Sequence, residues 1–127
     1  VSAQPAPTPR ELEILKVLWD QGPSSVRAVH RRLLASEPDL AYNTVQTLLR
    51  IMDANKGLVG HHLDGRTFIY TARYTRDAST ASFLERVFDG AAAALVQSLL
   101  RSERVSAAEL EQMHALIAEA RRRNGRR

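Results

Sequence analysis

Asn43, Thr44, Gln46, Thr47 and Arg50 are the residues of this chain best equipped to meet another molecule. They surround an apolar stripe, Val45, Leu48, Leu49 and Met52, whose i, i+3, i+4, i+7 spacing predicts a helix over residues 41 to 56. A helix start with unpaired amides, followed by a short amide, hydroxyls and then an arginine, suits the DNA major groove. There amide side chains pair with adenine and arginine with guanine or phosphate. The same pattern also fits a surface helix of an all-helical protein, so the neighbouring elements must decide.

Other chemistries find little support. The chain has no cysteine, which excludes disulfides, thiolate zinc sites and cysteine nucleophiles. His30, His61, His62 and His114 are scattered, with no carboxylate at a diagnostic interval. His61 and His62 are adjacent on a predicted strand, so their rings face opposite ways: a poor chelating pair, with one ring expected half-buried and the other outward. No glycine-rich phosphate loop is present, and nothing near Ser98 or Ser106 would activate a nucleophile. The expectation is therefore a protein without catalytic residues, metal ligands or cofactors, and not an enzyme.

At 127 residues the chain suffices for one modest domain, or a small domain with a helical appendage. It carries neither a signal-peptide pattern nor a membrane-spanning run, so a cytoplasmic protein without membrane insertion is expected. Residues 1 to 75 hold nine Lys or Arg against seven Asp or Glu, as do residues 76 to 127. Each part is thus mildly basic, which permits nucleic acid binding without establishing it, because local potential matters more than the total.

Elements that would position the opening helix follow from the pattern. Residues 1 to 7 read as a loose arm, and Thr8-Pro9-Arg10-Glu11 is a capping box launching a helix that buries Leu12, Leu15, Val17, Leu18 and Trp19. After Gly22-Pro23 a serine caps a second helix, with Val26, Val29, Leu33 and Leu34 inward. Its Arg27, Arg31 and Arg32 face outward, within reach of phosphates or as a solvated face. Glu37-Pro38-Asp39 breaks the chain before the opening helix, which ends near Lys56-Gly57. Strands at 58 to 62 and 67 to 71 then flank a turn at 63 to 66, with its Asp64-Gly65 hairpin signal. Three short helices and a terminal hairpin describe a winged helix-turn-helix, with Arg66 and Thr67 at the wing tip.

Beyond a polar connection at 72 to 78, three apolar helical stripes follow: Phe83, Leu84, Val87 and Phe88; Leu95, Val96, Leu99 and Leu100; and Leu110, Met113, Ile117 and Ala120 after a Ser106 capping box. Such helices bury too little alone, so packing against a symmetry mate is the economical expectation. A cap folded back on the same chain is the alternative. Two copies would also present two recognition helices to a palindrome.

Several blocks together resemble the penicillinase-repressor family, which includes repressors of beta-lactamase and methicillin-resistance genes. They are TPRELEILKVLW at 8 to 19, NTVQTLLR at 43 to 50, KGLV at 56 to 59, GRTFIY at 65 to 70 and FLERVFDG at 83 to 90. The resemblance spans Thr8 to Arg121. It implies a homodimeric transcriptional repressor with an N-terminal winged helix domain and a C-terminal three-helix dimerisation domain. On its matching motifs it implies DNA contact by Thr44, Gln46, Thr47 and Arg66, and dimer contact by Phe83, Leu84, Val87 and Phe88. Two departures stand out. Thr44 to Gly57 is one residue longer than the family usually shows, so an irregular last helical turn or a different helix end is expected. The family's Asn-Phe cleavage pair, whose proteolysis inactivates resistance repressors, corresponds here to Ser98 and Leu99, so cleavage would need a protease of other preference.

The combined expectation is a mainly α protein with a small β wing: arm 1 to 7, winged helix-turn-helix domain 8 to 74, helical dimerisation domain 75 to 121, basic tail 122 to 127. It would bind a double-stranded palindromic operator as a homodimer and repress transcription until a signal, such as a membrane sensor or protease, releases it. Asn43 and Arg50 join the DNA contacts on helical geometry, with Arg10 and Arg31 on phosphates. Leu95, Leu99, Leu110, Met113 and Ile117 join the dimer interface. A helical interaction module without DNA binding, or a direct small-ligand sensor with a pocket in the C-terminal helices, are the alternatives.

Overall fold

The computed structural model describes residues 6–125, so the first residues of the expected arm and Arg126 and Arg127 of the tail lie outside the described residues. The element order is α1 (Pro9–Gln21), β1 (Ser24–Ser25), α2 (Val26–Leu34), α3 (Tyr42–Ala54), β2 (Val59–Asp64), β3 (Thr67–Ala72), α4 (Arg76–Phe88), α5 (Ala92–Arg101) and α6 (Ala107–Gly125). The fold is mainly helical with a small three-stranded antiparallel sheet, consistent with a winged helix. Two compact units result, the first ending at Ser82 and the second beginning at Phe83, inside α4.

In the first unit, each helix boundary has a local cause. The capping box forms as the sequence predicts: the Thr8 hydroxyl accepts from the Glu11 amide at 3.2 Å, and Glu11 accepts from the Thr8 amide at 2.9 Å. Gly22 ends α1 at φ 80°, a left-handed conformation glycine adopts without strain. Ser25 caps α2 by accepting from the Ala28 amide at 3.1 Å. The amphipathic faces of these helices meet over one core, in which Ile14, Leu15, Val29, Val45, Leu49 and Met52 are fully buried. Leu12, expected in the core, is only partly buried, and Ile14 takes the central place instead.

The end of α3 is irregular, as expected ahead of Gly57. Asn55 closes the last turn onto the Ile51 carbonyl at 2.9 Å, Gly57 turns left-handed at φ 66°, and the Leu58 amide reaches back to the Met52 carbonyl at 2.9 Å. That bond spans six residues, one more than the usual Schellman closure. Leu58 and Val59 then enter the core at zero exposure, so the start of β2 is packed.

Sheet order is β1-β3-β2, with Ser24 opposite Tyr70 and Asp64 opposite Thr67. The hairpin turn is therefore Gly65-Arg66 rather than the four residues 63 to 66, and both strands run longer than expected. Gly65 takes φ 63° at the first central position, as a II′ turn requires. The expected polar connection at 72 to 78 also proves shorter. Tyr74 is buried at 3% exposure, its carbonyl accepts from the Trp19 indole at 2.9 Å, and α4 starts at Arg76 with Thr75 bonding the Ala78 amide.

In the second unit, none of the side chains on α5 or α6 is buried. Ser106 and Glu109 form the expected capping box, and α6 continues as helix through Gly125, so the described part of the basic tail is helical and Arg122 pairs with Glu119.

Candidate nucleic-acid interface

α3 enters its first turn from Ala41, whose extended backbone (φ −76°, ψ 142°) supplies no side-chain cap. No cap side chain therefore meets its first-turn amides, as Thr8 and Ser25 do in α1 and α2, and the Thr44 amide turns back to the Ala41 carbonyl at 3.2 Å. With Val45, Leu49 and Met52 fully buried and Leu48 packed against the core, the opposite face is open. Asn43, Thr44, Gln46, Thr47 and Arg50 are all exposed. Successive residues turn by about 100°, so Asn43, Thr47 and Arg50 point most directly away from the core. Gln46 shares its side of the helix with Tyr42, one turn earlier, and Thr44 lies toward the other edge.

On the Gln46 side a cleft of about 590 Å³ opens between α3, the start of α2 and the wing tip. Arg27, Tyr42, Gln46, Arg66, Thr67 and Phe68 line it, so the structure brings Gln46 and Arg66 to one cleft. Arg31 lies one turn further along α2, beside a separate groove with Gln21 and Arg32. Arg10 is already engaged: its guanidinium meets Glu37 at 2.5 Å, so a phosphate would have to compete with that carboxylate. Arg32 likewise reaches Asp20 at 3.6 Å. By contrast Arg27, Arg31, Arg50 and Arg66 make no ion pair among the described residues.

The wing is tied to the end of α3 through an unexpected pair. His61 bonds Asp53 through Nδ1, and its ring packs on Phe68 at 4.9 Å and Tyr70 at 5.9 Å between centroids. The histidines therefore do include one with a carboxylate partner, and both His61 and His62 are exposed rather than one being half-buried. Burial pushes the Tyr70 hydroxyl up from its ordinary range, the Asp53 charge adds to this, and Arg50 opposes it.

Just beyond the same end of α3, Lys56 bonds the Glu11 carboxylate at 2.7 Å, with Glu11 only 2% exposed. Burial alone would raise the Glu11 carboxyl, but Lys56 and Thr8 more than offset it and hold the group below the usual carboxylate range. A buried acid thus anchors the end of α3 to the start of α1. Sequence reading saw Glu11 as a cap alone, because Lys56 lies 45 residues away.

This arrangement of helices, hairpin and exposed polar face agrees with comparisons to known proteins. The penicillinase repressor family matches residues 7–119. The chain belongs to the penicillinase repressor family. A penicillinase repressor from Bacillus licheniformis is 29% identical over 118 residues, covering 89% of this chain and 90% of its own length. The family is one of regulators rather than enzymes, and family and fold together fit a DNA-binding transcriptional repressor. Among the described residues no group of His, Asp and Glu could hold a metal, and no helix is long and apolar enough to cross a membrane.

Tyr42, Ser25 and Phe68 were not singled out from sequence as part of this face. For Tyr42 a signal existed, since it stands four residues before Gln46 on the same helical stripe. Ser25 and Phe68 reach the cleft only through tertiary packing of β1, α2 and β3.

The expected dimer contacts sit in the second unit. Phe83, Val87, Leu99, Leu110 and Ile117 are exposed, while Leu84, Phe88, Leu95 and Met113 are half-buried. Leu116, at 62% exposure, joins them and was missed. An open apolar groove of about 380 Å³ runs between α5 and α6, with Val96, Leu100, Leu110, Met113 and Leu116 along it.

Proposed function

We propose that this protein is a homodimeric repressor that binds a palindromic operator through α3 and the wing, and blocks transcription by excluding polymerase. The carrying observation is unpaired positive charge beside the exposed face of α3. Arg10 and Arg32 are engaged by Glu37 and Asp20, whereas Arg27, Arg31, Arg50 and Arg66 make no ion pair among the described residues. Free guanidinium groups around an exposed amide and hydroxyl face suit phosphate and base contact, and argue against an interaction module that has lost DNA binding. Asn43, Gln46 and Thr47 would meet bases, with Thr44 at the edge of the contact.

The second unit would supply the dimer. Eight exposed large apolar side chains from Phe83 to Ile117 favour a second copy as their cover. The groove between α5 and α6 is open and apolar, which speaks against an enclosed polar site for a small ligand. Release by proteolysis at Ser98-Leu99 would require local unwinding, because both residues lie within α5.

Gel shifts test this with a duplex enriched from a random pool and a scrambled control. Gln46→Ala should discriminate less between the two duplexes, whereas Arg66→Ala should weaken both by a similar factor. Unchanged binding by both variants would sink the site assignment.

A further inference from the structure

The wing-side cleft offers more donors than base reading by Gln46 requires. Arg27 comes from α2, Arg66 and Thr67 from the wing, Ser25 from β1 and Tyr42 from α3. No carboxylate lines the cleft, and neither arginine has an ion-pair partner among the described residues. Tyr42 is held rather than loose. Its ring stands at 88° to that of His30 with centroids 5.6 Å apart, and His30 Nε2 is anchored on the Leu40 carbonyl at 2.7 Å. The residue keeps 40% exposure, and its hydroxyl has no hydrogen-bond partner among the described residues.

We propose that this cleft seats one phosphodiester of the DNA backbone, with Arg27 and Arg66 flanking the phosphate and the Tyr42 hydroxyl donating to one of its oxygens. The inference rests on the repressor reading and adds a site to it. Two cations without acids, beside neutral hydroxyl donors, match an anion that must be gripped without reference to sequence. Because its donors come from α2, α3 and the wing, one phosphate would set how α3 lies in the groove. Tyr42 is thus a positioning residue, not a base reader.

The test uses the full chain, a duplex that the wild type enriches from a random pool, and a scrambled duplex, each measured over a range of salt. Tyr42→Phe keeps the ring against His30, and equal thermal melting checks that it folds. It should weaken binding to both duplexes by the same factor, roughly ten- to a hundredfold, as expected for a lost hydrogen bond to a charged group. The salt slope should stay unchanged, since no charge is removed. Arg27→Ala and Arg66→Ala should each lower that slope by about one per protomer, or about two for the dimer. Replacing single phosphates of the enriched duplex by neutral methylphosphonates should reveal one position that weakens wild type but barely affects the Tyr42→Phe, Arg27→Ala double variant. Wild-type binding by Tyr42→Phe, or a loss confined to the enriched duplex, overturns the phosphate seat while leaving the repressor reading intact. A wild type that enriches no sequence overturns both.

Discussion

The first unit closes over its own core, whereas the second leaves most of its large apolar side chains exposed. Among the described residues, all fifteen buried hydrophobic side chains lie between Ile14 and Tyr74, and α4, α5 and α6 bury none. Both halves carry helices with apolar stripes, so patterning does not separate them. What separates them is whether the chain supplies the opposing surface: α1, α2, α3 and the sheet face one another, while α5 and α6 leave an open groove. A self-sufficient reading head and an incomplete helical segment are what a repressor assembled from two copies would need.

The largest effect that would sharpen this contrast is Leu49→Ala. Leu49 is fully buried, so the cavity should cost the first unit about 3 kcal/mol in chemical denaturation. Loss of less than about 1 kcal/mol would mean that this core is not the source of its stability.

Next is the anchor beneath α3. Lys56→Ala leaves the buried Glu11 carboxylate unpaired and should cost about 2 kcal/mol, reduced from a fully buried pair because Lys56 is partly exposed. Acid should act on the same pair. The folded Glu11 carboxyl lies below its ordinary value of 4.5, so its contribution is full above that pH and is lost as pH falls through the lowered folded value. Denaturation at pH 6 and below pH 4 should show wild type weakening and Lys56→Ala weakening less. Equal acid responses would break the assignment.

The smallest effect on folding, though not on assembly, should come from Ile117→Asp. Ile117 is 56% exposed, so the first unit should keep its hydrogen-exchange protection. Dimer dissociation by analytical ultracentrifugation should rise at least about tenfold, or about 1.4 kcal/mol, if this face meets a second copy. An unaltered sedimentation profile would count against α6 as the interface. Loss of protection in the first unit would instead erase the contrast between the two halves.

Much of the fold was legible because its signals are local. The Thr8-Glu11 capping box, the Val45-Leu48-Leu49-Met52 stripe and the Gly57 stop each lie within one or two turns of chain. The two-residue β1 was not legible: Ser24-Ser25 is too short to show a period, and only pairing with Ile69 and Tyr70 makes it a strand. Tyr74 read as part of a polar connection because its burial comes from packing against the core formed with α1, including the Trp19 bond to its carbonyl. In the candidate site, Gln46 and Arg66 could be picked by residue type and position. The exclusion of carboxylates from their cleft could not, since Arg10, Arg32 and Arg66 look alike until their partners are placed.

Sequence by itself determined the helix order, the hairpin, the absence of thiol chemistry and the polar face of α3, all consequences of periodicity, capping and residue type over short spans. Tertiary structure alone decided which arginines remain free, that Asp53 holds His61 on the wing, and that Glu11 and Lys56 anchor α3 across 45 residues. The physical reason is that charge pairing depends on distance in space. A guanidinium with a carboxylate beside it is already engaged, and one without stays available to another anion.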